Sequence, residues 1–208
     1  MVVKAIETRY AGYRFRSRLE ARWAVFLDAV GIKWEYESEG YNISDARPDA
    51  SDPWYLPDFY VPNFPFMYGF EGAFLEIKPA RPLTEREYIK ASGLAAMFAG
   101  LREVIVVHGT PGDASFMAIH CEAGCGWRDA KYSTLRVGVQ YGGDKIIVVP
   151  FETGMLNPET GVVDFRPTKF QDGTAEDIWN KYADEYALSN VVAAARSARF
   201  EHGERGGK

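Results

Sequence analysis

The sequence predicts an α/β fold in which helices flank a central mixed β-sheet. An amphipathic segment near the N-terminus repeats its apolar residues with helical spacing. Two short apolar stretches in the first half of the chain are typical of strands, and VIVVHG at 104–109 is a continuous apolar run, as expected of a strand buried on both faces. Helices and strands in this order indicate a sheet covered by helices.

Composition excludes several classes of protein. The 208 residues suit one fairly large domain, or one domain with an appended subdomain, and the apolar content of 47% supports a substantial core. The chain has no run of about 18 or more apolar residues and no signal-peptide pattern, so we expect no membrane partner. Two cysteines cannot form a disulfide framework, which favours the reducing cytoplasm.

The charge is unevenly distributed. A net charge of −5 argues against a protein that coats nucleic acid without specificity. Residues 1–33 nevertheless hold seven cations against three anions. A local basic face on an acidic protein is compatible with a substrate that carries phosphate, although runs of charge usually form solvated surfaces.

The first helix is predicted over residues 14–30, with Gly31 at its end. At ~100° per residue, Glu20 lies on the margin of the apolar stripe of this helix. Residues 32–37 alternate as a strand does, and residues 38–54 are predicted to be a loop. The apolar stripe consists of Leu19, Trp23, Phe26, Leu27 and Val30.

Two strands, 55–61 and 73–78, carry charged residues inside their apolar runs. Asp58 lies in the first, and Glu76 and Lys78 lie in the second. Because alternate residues of a strand point to the same face, Glu76 and Lys78 project together. Pairing of the strands would bring Asp58 beside them. Two carboxylates and one ammonium group that converge on a sheet form a combination suited to a divalent metal and a phosphate.

The second helix is predicted from Thr84 to about Ala99, with Glu87 completing a capping box at its start. The buried strand at 104–109 follows it. The core therefore has the order helix, three strands, helix, strand, which predicts a mixed sheet and defines residues 1–110 as the core.

Beyond the core, residues 111–173 predict a small β-rich insertion or subdomain. Residues 152–173 are rich in Gly, Pro, Thr and Asn and are predicted to be mostly loop. Residues 174–208 predict one long C-terminal helix, capped by Thr174, that packs on the core and ends in a frayed tail. The strands predicted in the insertion are 116–121, 132–140 and 145–151.

The arrangement PD-x17-E-x-K, formed by PD at 57–58 and EIK at 76–78, resembles the PD-(D/E)xK nuclease superfamily. The preceding segment RSRLEARWAVFLDAVGIKWEYE, with its embedded glutamate, is similar to the phage and transposon branch of that superfamily. The resemblance covers about residues 10–110. It implies a restriction-endonuclease-like core and, for a phage-encoded protein, a location in the host cytoplasm.

The resemblance also implies a reaction, the Mg²⁺-dependent hydrolysis of DNA by a deoxyribonuclease. Mg²⁺ or Mn²⁺ would be held by Asp58, Glu76 and the carbonyl of Ile77. Lys78 would orient the attacking water and stabilise the charge on the phosphate. Glu20 would complete the catalytic set by holding a second metal or a metal-bound water.

Four cations are candidates for binding DNA. Arg16 and Arg18 could bind phosphates next to the cut, and Arg86 and Lys90 could face the substrate from the second helix. These four rest on charge and position alone, since a helix surface is ordinarily charged.

The acids have structural alternatives. Glu20 follows Ser17 by three residues and could simply complete a capping box. Asp58 after a proline could start a turn. Glu76 and Lys78 could be an ordinary solvent-facing strand pair.

His120, Cys121 and Cys125 resemble half of a zinc site. Structural zinc usually needs four ligands from two spaced pairs, and the second pair is missing here, with His108 and His202 as the other candidates. We therefore expect two small buried residues in a strand and turn, and no zinc.

The leading functional hypothesis is an endonuclease in phage DNA processing or attack on host DNA. The alternatives are an exonuclease, a catalytically silent DNA-binding or assembly module with the same fold, and an RNA-directed nuclease, for which no RNA-binding pattern is present. Many such nucleases dimerise to cut both strands, but the sequence shows no interface.

Overall fold

The computed structural model of the protein describes residues 7–64, 72–140, 146–156, 163–171, 173–184 and 188–200. The predicted frayed tail, residues 201–208, lies outside the described residues. The helices are α1 (Arg18–Ala29), α2 (Glu85–Met97), α3 (Ala175–Tyr182) and α4 (Ser189–Ser197), with a 3-10 turn at Trp127–Asp129. Within the described residues, no helix is both long enough and apolar enough to cross a membrane.

The strands form one central sheet and three two-stranded ladders. They are β1 (Thr8–Tyr10), β2 (Tyr13–Phe15), β3 (Glu35–Tyr36), β4 (Tyr41–Asn42), β5 (Trp54–Tyr55), β6 (Phe59–Val61), β7 (Ala73–Lys78), β8 (Glu103–His108), β9 (Ser115–His120), β10 (Lys131–Gln140), β11 (Ile146–Leu156), β12 (Val163–Pro167), β13 (Lys169–Phe170), β14 (Gly173–Thr174) and β15 (Ala183–Asp184).

The central sheet has the order β12-β11-β10-β9-β8-β7-β6-β3, and β15 also pairs with β10. Strands β7 and β8 run parallel, joined by α2, and the other described pairs are antiparallel. The α/β class and the mixed sheet are therefore confirmed. The strands of the predicted insertion do not form a separate sheet, because β9 pairs with β8 and continues the sheet of the core.

Each face of the sheet carries its own apolar core. Helices α1 and α4 cover one face, and α2 covers the other. The alternation predicted for β7 is observed, with Leu75 and Ile77 on the α1 face and Phe74 on the α2 face. Strand β8 is buried on both faces, as its continuous apolar run predicts, and the side chains from Val104 to Val107 are at most 1% exposed.

Helix α1 begins at residue 18, not at residue 14 as predicted. Residues 13–15 pair with residues 8–10 in a hairpin that turns at Ala11 and Gly12, both with positive φ. Ser17 then adopts an extended backbone conformation, and its hydroxyl oxygen accepts a hydrogen bond from the Glu20 amide. This bond fixes the start of the helix. The predicted cap at Ser17 is thus confirmed, and the apolar stripe faces the core.

Two predicted strands are shorter than expected. The strand predicted at 32–37 is reduced to β3, and the strand predicted at 55–61 is divided into β5 and β6. Pro57 interrupts the second one because proline has no amide hydrogen to donate. Strand β5 turns away to pair with β4, so the segment 38–54 is not entirely loop.

The prediction that residues 152–173 are mostly loop is wrong, because most of the residues that the structure describes there lie in strands. Strand β11 continues to Leu156, and β12, β13 and β14 lie within this segment. Hydroxyl groups bridge the strands here, with Ser133 and Thr168 each 3.0 Å from the Thr153 Oγ1. Polar cross-strand pairs leave no alternation of apolar residues, so the sequence shows no strand pattern.

The predicted long C-terminal helix is also wrong. The cap of Thr174 with Asp177 is confirmed, but α3 ends at Tyr182, and residues 183–184 pair with the edge of β10 before α4 begins. A helical pattern is overridden here because β10 offers unpaired backbone groups to the chain. Helix α4 packs beside α1, so the C-terminal segment does contact the core.

Candidate functional site

A cleft of about 450 Å³ opens at the C-terminal end of β7, between β5, the start of β6 and α2. The predicted site residues that line it are Arg16, Glu20, Asp58, Glu76, Ile77, Lys78, Arg86 and Lys90. Arg18 is half-buried in the first turn of α1 and does not line the cleft. The fold therefore brings together charged side chains from the segment before α1, from α1 itself, from the turn before β6, from β7 and from α2.

Asp58 is the most deeply buried acid of the cleft, with 3% of its surface exposed. Its Oδ2 accepts a hydrogen bond from the Ile77 amide at 2.7 Å, and its Oδ1 accepts one from the Arg16 guanidinium at 2.8 Å. Burial raises the pKa of Asp58 well above its usual value, and the nearby carboxylates of Glu76 and Glu20 raise it further. Asp58 is thus a buried carboxyl group with two other carboxylates nearby.

Glu76 and Lys78 project from the same face of β7, as predicted. One carboxylate oxygen of Glu76 accepts from the Tyr55 hydroxyl at 2.9 Å, and the other contacts the Lys78 ammonium group. Lys78 also lies 3.5 Å from Glu87 of α2. Burial lowers the pKa of Lys78, but the surrounding carboxylates, Glu76 first, outweigh burial and leave the pKa raised. Lys78 therefore stays cationic at neutral pH.

Glu20 faces the cleft from the first turn of α1, where its amide donates to the Ser17 side chain. Its carboxylate accepts from the Tyr36 hydroxyl at 2.6 Å, from the Ser17 hydroxyl at 2.7 Å and from the Arg16 amide at 3.1 Å. Only 8% of Glu20 is exposed. The Ser17 cap is therefore formed through the Glu20 amide, while the Glu20 carboxylate binds the Arg16 amide in place of the Ser17 amide that a capping box would use.

Arg16 places a guanidinium group against the acids. It contacts Asp58 and also Glu37, whose amide donates to the Asp58 carbonyl at 3.0 Å. Glu37 has a φ of +45°, a left-handed conformation that is uncommon for this residue type. The main chain of Arg16 is held separately, because its amide donates to Glu20 and to the Tyr36 hydroxyl. The guanidinium group can thus move without disturbing the helix cap.

Arg86 and Lys90 stand at the cleft entrance and share one acid. Each donates to the same Oδ2 atom of Asp52, both at 2.6 Å. Lys90, and then Arg86, lower the pKa of Asp52 to about 2. Lys90 also donates to the Trp54 carbonyl at 2.8 Å. Two cations are therefore balanced by a single carboxylate.

The backbone carbonyl of Ile77 faces the same edge as Asp58. The Ile77 amide donates to Asp58, whereas the next carbonyl along the chain, that of Lys78, accepts from Gly109 on the side of β8. Successive peptide groups of a strand point in opposite directions. The Ile77 carbonyl consequently points toward Asp58, which suits the ligand role predicted for it.

The donor chemistry of the cleft fits a divalent cation of the Mg²⁺ type. Such ions prefer carboxylate and carbonyl oxygens. Burial, and after it the neighbouring carboxylates of Glu76 and Glu20, raise the pKa of Asp58, so several acidic oxygens lie close together in the cleft. In the described part of the chain, no group of three or more His, Cys, Asp or Glu side chains is already arranged around a metal position. Arg16 and Lys78 contact oxygens that an ion would use.

The cysteines lie apart from the cleft, in the turn after β9. Burial raises the pKa of Cys121 to about 11, and its thiol contacts the Gly126 carbonyl at 3.8 Å. Cys125 is half-buried in the same turn. His202, a further candidate, lies outside the described residues.

Sequence reasoning missed the residues that hold the acids in place. Tyr36 and Tyr55 are buried tyrosines whose hydroxyl groups donate to Glu20 and Glu76, and burial, followed by these acids, raises the pKa of both. Glu87 was predicted only as a helix cap, but it also faces Lys78. A signal existed in the position of Tyr55, because it lies three residues before Asp58 in an otherwise apolar run.

Comparison of the chain with protein-family models, with curated proteins and with solved structures finds no match.

Proposed function

We propose that the protein is a metal-dependent nuclease of the PD-(D/E)xK type that hydrolyses phosphodiester bonds of DNA as an endonuclease. One observation carries the proposal, namely that the buried acids Asp58 and Glu76 and the half-buried Lys78 converge on one cleft. Burying charged groups costs free energy that pairing and hydrogen bonds offset only in part, and a bound divalent ion and phosphate would offset more of that cost. Phage DNA processing or attack on host DNA is the setting we propose for this activity.

Asp58, Glu76 and the Ile77 carbonyl would hold Mg²⁺ or Mn²⁺. The ion would lower the pKa of a bound water and neutralise charge on the phosphate that is attacked. Tyr55 fixes the orientation of Glu76 through its hydroxyl group. Lys78, kept cationic by the surrounding carboxylates, would leave Glu76 and donate to the phosphate oxygens as their negative charge increases.

Glu20 and Arg16 act around this centre. Glu20 adds negative charge beside Asp58 and keeps the main chain of Arg16 in place through the Arg16 amide. The Arg16 guanidinium group would release Asp58 when the ion binds and move to a neighbouring phosphate. We also propose Arg86 and Lys90 as phosphate contacts at the entrance, and Arg18 as a more distant one.

The direct test is incubation of the purified protein with supercoiled plasmid, linear duplex and single-stranded DNA in Mg²⁺ or Mn²⁺. We expect cleavage by the wild type, and a loss of cleavage in Asp58→Ala and in Lys78→Ala. Lys131→Ala is the matched control, because Lys131 forms an exposed ion pair with Glu122 away from the cleft. No cleavage of any DNA form by the wild type, or equal cleavage by Asp58→Ala, would overturn the proposal.

A second candidate is a silent DNA-binding or assembly module. It is favoured by the observation that the acids already contact protein donors and cations. Thermal unfolding separates the two candidates. An active carboxylate site should gain about 5–10 °C in Tm at an ion concentration near 100 times its Kd, whereas a silent one should not respond.

A further inference from the structure

An apolar lip, formed by Trp54 and Leu56, borders the charged cleft. Both residues line the cleft, and Trp54 is the most exposed large apolar side chain of the described residues at 61%, while Leu56 is 38% exposed. An isolated exposed aromatic residue needs no explanation. An indole and a leucine at the entrance of a cleft lined with buried acids and cations do suggest a ligand that has both apolar and anionic parts.

The indole is attached to a backbone that is held in place. The Trp54 amide donates to the Asp52 side chain at 3.3 Å, and its carbonyl accepts from Lys90 at 2.8 Å. Trp54 also pairs with Asn42 in the ladder of β4 and β5. The backbone that carries the ring is thus fixed before a ligand arrives, which lowers the entropy lost on binding.

The charge beside the apolar lip favours an anion. Arg86 and Lys90 share the single carboxylate of Asp52, so one positive charge is left over next to the indole. A flat apolar ring next to a surplus cation complements the two parts of a nucleotide, the face of its base and its phosphate. This complementarity selects nucleic acid as the occupant of the apolar lip.

We propose that the apolar lip stacks on an unpaired base, and that the DNA taken by the cleft carries a single-stranded segment next to the phosphate that is cut. This inference rests on the proposed nuclease function and names its substrate class. In a blunt duplex both faces of almost every base are already stacked, so an indole at the entrance gains little from it. A single strand, an overhang or a branch presents free base faces.

The test measures binding by fluorescence anisotropy, with fluorescein-labelled single-stranded, overhanging and blunt duplex DNA in the absence of divalent ions, so that no cutting occurs. We expect Trp54→Ala to weaken binding to the single strand and to the overhang by about fivefold to hundredfold. Binding to the blunt duplex should change less than about twofold. Trp54→Phe, which keeps an aromatic face, should retain most of the affinity for the single strand.

Leu101→Ala is the matched control, because Leu101 is 49% exposed and does not line the cleft. It should bind all three DNA forms as the wild type does. Quenching of intrinsic fluorescence by the single strand should decrease in Trp54→Phe, which reports contact with this indole directly. Sedimentation of wild type and Trp54→Ala should show the same oligomeric state.

Three results would overturn the inference: equal weakening of Trp54→Ala on blunt duplex and on single strand, no weakening at all, or a change of oligomeric state caused by Trp54→Ala. The outcome is separable from the nuclease proposal. A protein that cuts duplex DNA with no effect of Trp54→Ala keeps the nuclease proposal and loses this one. A protein that binds single strands through Trp54 but cuts nothing keeps the stacking contact and loses the nuclease proposal.

Discussion

The two ends of the parallel pair β7 and β8 both carry buried acids, in very different surroundings. At the N-terminal end, Glu103 is 4% exposed, and burial raises its pKa to about 8. Its Oε2 has no hydrogen-bond partner among the described residues, and its Oε1 lies 3.7 Å from the Nδ1 of His120. Burial in turn lowers the pKa of His120, so that pair is uncharged over much of the neutral range.

At the C-terminal end, Asp58 and Glu76 are buried to a similar degree but face a cleft with cations and hydroxyl donors. The pKa of Asp58 is raised by burial and also by other acids, whereas that of Glu103 is raised by burial alone. A divalent ion would reduce the repulsion between Asp58 and its neighbouring carboxylates. At Glu103 the pKa shift has no contribution from another acid, so there is no such repulsion to reduce. The surroundings of Asp58 are therefore those that the proposed metal site requires, whereas Glu103 is a buried acid kept neutral by burial.

The largest difference between the two ends should appear in cleavage. Glu76→Gln should lower the rate of DNA hydrolysis by about 10³-fold or more, because it removes a proposed metal ligand while it keeps the shape of the side chain. Glu103→Gln should change the rate less than about twofold. Single-turnover cleavage of a labelled duplex with a single-stranded overhang, under saturating Mn²⁺, measures both rates. A similar loss in the two variants would mean that burial, not membership of the cleft, explains the effect.

The next largest effect should be the pH dependence of stability at Glu103. The carboxyl has its usual pKa of 4.5 when unfolded and about 8 when folded, so the native state holds its proton more tightly. Stability from this group is complete below the unfolded pKa and is lost as pH rises toward 8, by roughly 3 kcal/mol between pH 5 and pH 8. Urea unfolding of wild type and of Glu103→Gln at four pH values measures how the difference in their free energies of unfolding changes with pH. A difference that stays constant with pH would mean that Glu103 is ionised in the folded protein.

A smaller effect should follow from removing the arginine beside Asp58. Arg16→Ala should tighten Mn²⁺ binding by about tenfold, because the guanidinium group occupies the Asp58 oxygen that the ion would use and the contact is only partly shielded from water. Isothermal titration calorimetry without DNA measures the Kd. Arg18→Ala, which lies outside the cleft, should leave the Kd unchanged. Weaker binding in Arg16→Ala would show that Arg16 supports the metal site instead of competing with it.

The smallest effect should come from Glu20→Gln. The side-chain oxygen of a glutamine can accept hydrogen bonds from the Arg16 amide and the Tyr36 hydroxyl, and its NH₂ group can donate one to the Ser17 hydroxyl. The free energy of unfolding should therefore fall by less than about 1 kcal/mol. Loss of one negative charge beside Asp58 should lower cleavage about tenfold, less than in Glu76→Gln. Urea unfolding and cleavage are measured on one preparation. A loss equal to that of Glu76→Gln would make Glu20 a direct ligand, and no loss would leave it a helix cap.

Local patterns in the sequence predicted several features of the fold and of the candidate site. The stripe of α1, the caps at Ser17, Thr84 and Thr174, and the alternation along β7 depend on residues a few positions apart. Such features are decided by neighbours along the chain, and they were correctly predicted. The position of Glu76 and Lys78 on one face of β7 belongs to the same class.

Features that depend on distant backbone were not predicted. The C-terminal pattern reads as one helix, but β10 draws residues 183–184 into the sheet. Strand β12 lacks an apolar pattern, and it forms because β11 presents hydrogen-bonding groups along its edge. Pairing partners that lie many residues away leave no local signal.

The sequence by itself determined an α/β chain whose charged residues Asp58, Glu76 and Lys78 lie inside strands, since side-chain direction within a strand follows from alternation alone. Only the tertiary structure decided that Arg16 and Glu20 meet them, that Tyr36 and Tyr55 hold the acids, and that Trp54 stands exposed at the entrance. These contacts join segments that are far apart in the chain. The physical reason is that their geometry is set by strand pairing and helix packing, which act between elements and not within them.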